Sequence, residues 1–144
     1  MAFIDCSSLS EIKLPASVTS IGQNAFDNTF WLENELKTNS MAIINNFLIR
    51  ADSSIEKAII PDSVTIINDN AFYNCINLKD VIIPDSVEKI GNAAFCNCTG
   101  LKSIKIPNSV KYIGDYAFYN CRNIERLTMS LDVVIGEKAF NTRP

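Results

Sequence analysis

Leu78-Lys-Asp-Val81-Ile-Ile83-Pro84-Asp-Ser86-Val87-Glu-Lys-Ile90-Gly91-Asn-Ala-Ala94-Phe95-Cys-Asn97-Cys98-Thr-Gly100 decides the fold, because at Leu101 the same stretch begins again. The period is 23 residues, and self-similarity at a period of 20 to 50 marks a solenoid or array. Pro15, Pro61, Pro84 and Pro107 keep one phase, and so do the Ala-Phe pairs at Ala2-Phe3, Ala25-Phe26, Ala71-Phe72, Ala94-Phe95, Ala117-Phe118 and Ala139-Phe140. The isoleucine column runs Ile21, Ile44, Ile67, Ile90, Ile113, Ile135 and the cysteine column Cys6, Cys75, Cys98, Cys121. Residues 1–144 are expected to form one solenoid of about six coils, the first and last incomplete, with an irregular coil at 27–54. Met1-Ala2-Phe3 already occupies the Ala-Phe columns, which points to a fragment of a longer solenoid, since such arrays need capping repeats.

One coil can be read physically. Leu78-x-x-Val81-x-Ile83 alternates apolar and variable positions, the period-2 mark of a half-buried strand, with Val81 and Ile83 inward and Asp80 and Ile82 outward. Pro84 ends the strand because it has no N–H to donate, and Pro84-Asp85-Ser86 makes the turn. Val87-Glu-Lys-Ile90 is a second short strand, and Gly91, whose counterparts are Gly22, Asn68, Gly114 and Gly136, is expected to take a left-handed conformation. Asn92-Ala-Ala94-Phe95 suits a single helical or 3₁₀ turn that plants Phe95 in the core, ended by Asn97 and its counterparts Asp5, Asn28, Asn74 and Asn120. Stacked coils would then place the phenylalanines in one continuous column, about 4.8 Å apart. The fold class is a solenoid of short parallel strands with one short helical turn per coil, an α/β right-handed superhelix.

Composition narrows the function. With 47% hydrophobic residues, 20% charged residues and a net charge of −3, the chain resembles a folded globular protein rather than a disordered one. It has no basic run for nucleic acid and no apolar stretch long enough for a bilayer. Histidine is absent, which removes the commonest general base and metal ligand. Cys96-Asn97-Cys98 lacks the spacing of a structural zinc site. Cys75, Cys98 and Cys121 are expected as buried free thiols, with Cys96 outside their column and exposed. Acidic residues form no catalytic pair, and the Asn97-Cys98-Thr99 sequon lies where the chain turns inward. The reading is of a non-enzymatic chain with no cofactor and no metal.

The irregular coil keeps the period and loses the motif. Met41-Ala-Ile-Ile44-Asn45-Asn46-Phe47-Leu48-Ile49-Arg50 is two apolar runs around Asn-Asn, a hairpin whose turn needs positive φ. Phe30 and Trp31, the latter the sole tryptophan, are either packing for a decayed repeat or the tip of a second binding protrusion.

In these columns the chain resembles the BspA-like leucine-rich repeats, with Leu101-Lys-Ser-Ile104-Lys-Ile106-Pro107-Asn-Ser-Val110-Lys-Tyr-Ile113-Gly114-Asp-Tyr-Ala117-Phe118-Tyr-Asn-Cys121 nearest to that family's repeat. The resemblance implies a secreted or cell-surface module that binds proteins, extracellular matrix or other cells, and the expected partner of this chain is a protein or a glycan. It also implies that the first strand of each coil lines the concave face. Outward residues there form rows that vary while their frame repeats: Lys13, Ile59, Ile82, Lys105, Thr128; Glu11, Lys57, Asp80, Ser103, Arg126; and Ser10, Glu56, Lys79, Lys102, Glu125. Partner-binding candidates on this face are Lys57, Ile59, Lys79, Asp80, Ile82, Lys102, Ser103, Lys105, Arg126 and Thr128. Ile59 beside Ile82, rimmed by charge, has the composition of a contact patch. The rival expectation is a structural spacer whose open ends associate end to end.

Overall fold

The computed structural model describes residues 2–140, so Met1 and residues 141–144 of the expected solenoid lie outside the described residues. Each regular coil carries two short strands on different faces. In chain order the elements are α1 (Phe30–Asn39), β1 (Met41–Ile44), β2 (Phe47–Ala51), β3 (Lys57–Ile59), β4 (Ile66–Ile67), β5 (Asp80–Ile82), β6 (Lys89–Ile90), β7 (Ser103–Lys105), β8 (Tyr112–Ile113), β9 (Arg126–Thr128) and β10 (Val134–Ile135). The second strands make one six-stranded sheet in the order β1-β2-β4-β6-β8-β10, parallel throughout except for the β1–β2 hairpin. The first strands make two separate pairs, β3-β5 and β7-β9.

Each motif residue has a task between coils. The Ser86 and Ser109 hydroxyls donate to the Val64 and Val87 carbonyls of the coil before, both at 2.7 Å. The side-chain oxygens of Asp69, Asn92 and Asp115 accept the backbone N–H of Asn92, Asp115 and Glu137 one coil on, at 2.8, 2.9 and 2.7 Å. Asn97 donates to Asn74 at 2.6 Å and accepts from Asn120 at 2.8 Å, so an amide ladder runs along the axis. Both the nitrogen and the oxygen of the Asn97 amide thus take part in the ladder. The Cys98 and Cys121 thiols donate to the Phe72 and Phe95 carbonyls at 3.1 and 3.0 Å. Nearly every buried polar group in the frame is thus satisfied by the next coil, as burial demands.

Two local expectations are corrected. Gly91 and Gly114 do not adopt positive φ; no glycine does. They are required for closeness, since a Cβ on Gly114 would sit 2.6 Å from Asn92 N and 2.7 Å from the Gly91 carbonyl carbon. The left-handed positions come two residues later, at Asn70, Ala93 and Tyr116, and again at Asn74, Asn97 and Asn120. For that reason Asn92–Phe95 is a run of tight turns, without the expected helical turn. Ala94 and Cys96 N–H bond locally to Gly91 and Ala93, whereas Ala93 and Phe95 N–H point along the axis to Asp115 and Ala117, at 2.8 and 2.7 Å. Alternate N–H groups of the segment thus serve the local turns and the next coil.

The phenylalanine column exists in two pieces. Phe72, Phe95, Phe118 and Phe140 stack nearly parallel, with centroids 4.7 to 5.0 Å apart, and Phe3 stacks on Phe26 at 5.6 Å. Between Phe26 and Phe72 the column is broken by the irregular coil, whose Ala51 N–H bonds Ala71 O at 2.7 Å just as Phe72 N–H bonds Ala94 O. The hairpin expected at Met41–Arg50 is present, with Asn45 at φ 50° in its turn. Ile44 is not in the isoleucine column, however. It faces Phe47 across the hairpin, and Leu48 is the register partner of Ile67.

Helix α1 was not foreseen. Thr29 caps it, its Oγ1 accepting the Leu32 N–H at 3.1 Å and donating to Phe26 O at 2.7 Å, and Ser40 closes it at φ 61°. Its apolar residues crowd the first turn, where Trp31 and Leu32 are buried, so it has no continuous stripe for periodicity to detect. The core follows this division: one cluster runs from Leu48 to Ala139, and a second gathers Phe26, Trp31, Leu32, Phe47 and their neighbours beneath α1.

Candidate functional site

The outward side of the first strands is one surface on which residues vary while the frame repeats. Alternation in β3, β5 and β7 turns Ala58, Val81 and Ile104 toward the core and Lys57, Ile59, Asp80, Ile82, Ser103 and Lys105 to solvent. Lys79, Lys102, Arg126 and Thr128 are also exposed. Parallel pairing sets Ile59 beside Ile82 and Lys57 beside Asp80, while Arg126 and Thr128 flank Ser103 and Lys105. Ile59 is 59% exposed and Ile82 51%, high for branched apolar side chains and enough to form one small patch.

The rows are nevertheless not continuous. Residues 9–14, with Glu11 and Lys13, form no strand, and α1 with its hairpin intervenes before β3. A second break lies between β5 and β7, which are not ladder partners although β3–β5 and β7–β9 are. Ile60 N–H reaches Ile82 O at 3.1 Å and Ile106 N–H reaches Thr128 O at 2.7 Å, so the hydrogen bonding closes on each side of this seam. At the seam lies a groove of about 720 Å3, with Ile59, Ile82 and Pro84 on one side and Lys105 and Pro107 on the other. Asp62, Asp85 and Ser86 also line it. These turn residues were missed in the rows because they follow the strand, yet Asp62 and Asp85 come directly after a proline that ends an exposed row, and Ser86 one residue later, which is the signal that could have located them.

Electrostatically the face is mixed and balanced, with Lys57, Lys79, Lys102, Lys105 and Arg126 set against Glu56, Asp62, Asp80, Asp85 and Glu125. Lys79 Nζ is 2.9 Å from Glu56 Oε2. The hydrogen bond and the charge of the partner raise the Lys79 pKa and lower that of Glu56. This exposed pair contributes little to stability. Among the described residues Lys57, Lys102, Lys105 and Arg126 make no salt bridge, which leaves cationic groups around an apolar centre.

The second candidate divides. Phe30 is 53% exposed, but Trp31 is buried, edge-on to Phe26 at 5.3 Å, with its backbone N–H bonded to Leu9 O at 2.8 Å. Trp31 therefore covers the broken end of the first aromatic stack and is not the tip of a protrusion. The cysteines are free thiols, and Cys96, expected to be exposed, is buried together with Cys75, Cys98 and Cys121; only Cys6 is exposed. Burial, reinforced by the Asp52 carboxylate, raises the Cys75 thiol to about 11. The neighbouring Cys121 thiol and burial together push Cys98 up as well. Protonated thiols of this kind are neither nucleophiles nor metal ligands at neutral pH.

A family model described as the BspA type leucine rich repeat region matches residues 1–88 and 65–143, in six copies. No curated protein matches the chain. Among solved structures, a leucine-rich repeat protein from Bacteroides ovatus is 35% identical over 62% of this chain and 23% of its own, with a TM-score of 0.59. One from Eubacterium ventriosum is 21% identical over 81% of this chain and 33% of its own, with a TM-score of 0.59. The leucine-rich repeat protein of T. pallidum is 19% identical over 70% and 63%, with a TM-score of 0.57; these last two likenesses bear on the fold alone. The chain thus spans between 23% and 63% of the length of these solved relatives.

Proposed function

We propose that this chain, which belongs to the BspA-type leucine-rich repeat family, is a non-catalytic interaction module that holds a protein partner on its first-strand face. The observation that carries the reading is the β5–β7 seam, where a groove with apolar and charged lining lies against two closed strand pairs. An extended partner segment laid along it would bury an apolar side chain against Ile59 and Ile82. Its carboxylates would meet Lys57, Lys102, Lys105 and Arg126. Recognition through variable positions on a fixed frame is how repeat proteins bind in general. The secreted or cell-surface setting that the resemblance implies belongs to the same proposal.

Selection of random dodecapeptides by display on the intact chain tests this. Enriched peptides are expected to be acidic and apolar, and to lose roughly tenfold in affinity on Ile82→Glu and on Lys105→Glu while keeping it on Phe30→Ala. Peptides that bind both face variants as they bind the wild type would place the site elsewhere.

A second reading has its own observation. In the last coil Leu131 is 98% exposed, Val134 63%, Ile135 43% and Leu127 41%, an apolar edge suited to stacking in a spacer. Light scattering separates the two: growth of larger species with concentration favours the spacer, and a constant monomer mass favours the binding module.

A further inference from the structure

The irregular coil opens a cleft on the turn side of the solenoid that shares no residue with the groove. In regular coils, amides one period apart touch, as Asn97 and Asn74 do. Here Asn70 Nδ2 reaches Asn24 Oδ1 at 3.4 Å, two periods away in sequence, because the intervening coil withdraws its turns. Arg50 of β2 enters the gap. Its Nη2 donates to Asp27 Oδ1 at 3.0 Å and to Asn24 Oδ1 at 3.2 Å. The exposed ring of Tyr73 forms one wall, and the cleft encloses about 430 Å3, within the roughly 300–1,000 Å3 of small-molecule sites.

Its chemistry is selective. Asp27 neutralises Arg50, so the cleft offers no net charge to draw in an anion or a cation. What remains are planar groups with paired donors and acceptors at Asn24, Asn70, Asp27 and Arg50, beside one flat apolar ring. The Arg50 Nε–H is buried and meets no acceptor among the described residues. Asn24 and Asn70 are held at φ 57° and 61°, and the bonds of Asn24 Oδ1 to Arg50 and Asn70 orient their amides. Vicinal hydroxyls over one face and C–H groups over the other match this arrangement. We propose that the cleft formed by Asn24, Asp27, Arg50, Asn70 and Tyr73 binds a neutral saccharide, with the sugar ring packed on Tyr73 and its hydroxyls on the amides.

The test is saturation-transfer NMR on the intact chain, with the methyl glycosides of glucose, galactose, mannose and N-acetylglucosamine as probes and acetate and sialic acid as charged controls. At least one neutral glycoside is expected to receive saturation, strongest on the protons of one ring face. Tyr73→Ala and Asn70→Gly, which alter an exposed ring and keep the left-handed backbone respectively, should each reduce the signal roughly fivefold. Tyr73→Phe should retain it, and Ile82→Glu should leave it unchanged. No transfer to any neutral glycoside, equal transfer in Tyr73→Ala, or a preference for the charged controls would each overturn the proposal.

Discussion

Phe95→Ala is the perturbation most closely tied to the stacked architecture. The Phe95 ring is fully buried, with Phe72 on one face at 4.7 Å and Phe118 on the other at 5.0 Å. Truncating a buried phenylalanine costs about 3–5 kcal/mol, and two lost stacking partners put this site toward the upper half of that range. Phe3 occupies the same column at the open end, where it has one stacked neighbour, Phe26, and is 41% exposed. With about half the burial, Phe3→Ala should cost about 1 kcal/mol. Urea unfolding followed by circular dichroism measures both. With a slope of about 2 kcal/mol per M, the midpoint should fall by about 2 M for Phe95→Ala and about 0.5 M for Phe3→Ala. Equal losses at the two positions would refute the reasoning, because position in the stack, and not residue type, is what it says decides the cost.

Glycine substitutions should split in the same way: Gly114→Ala drives a Cβ against the Asn92 backbone and destabilises, while Gly22→Ala, with nothing within 4 Å of the new atom, is neutral or stabilising by about 0.4–1 kcal/mol. Iodoacetamide without reductant should label Cys6 alone in the native protein and all five cysteines in urea; mass spectrometry finding fewer than five in urea would contradict the free thiols. The raised Cys75 pKa makes the folded state hold a proton that the unfolded state releases near its ordinary value of 9.0, so the thiol's contribution is complete below pH 9 and is lost as pH rises toward about 11. Stability measured across that window should therefore fall less steeply in Cys75→Ala than in the wild type, and parallel curves would count against it.

How much of this was legible depends on what repeats. Residues whose partner is the same residue one coil away, such as Phe95 on Phe118 or Asn97 on Asn120, declare themselves as columns, because stacking is what maintains the column. Legibility fails where the partner is of another kind. Ile44 keeps the phase and yet faces Phe47, since a hairpin reverses the chain within one period. Gly91 advertises backbone freedom, whereas the need is room for Asp69 of the coil before. Helix α1 hid because its buried residues, Trp31 and Leu32, are adjacent in sequence instead of spaced by a turn; Thr29, with Glu33 in the first turn and Lys37 in the last, was the available signal. On the binding face the exposed residues were legible from alternation. The seam between β5 and β7 was not, because Asp80–Ile82 and Ser103–Lys105 have the same pattern as strands that do pair.

Removal of residues 78–100, one whole period, tests the stacking of interchangeable coils most directly. The shortened chain should keep a cooperative urea transition, with Phe72 brought onto Phe118 and Ile67 beside Ile113, and should lose only the stability of one coil and its interface. A deletion of 78–95, which breaks the phase, should not fold. If the 23-residue deletion unfolds the chain as completely as the out-of-phase one, the coils are not equivalent layers and the account is wrong.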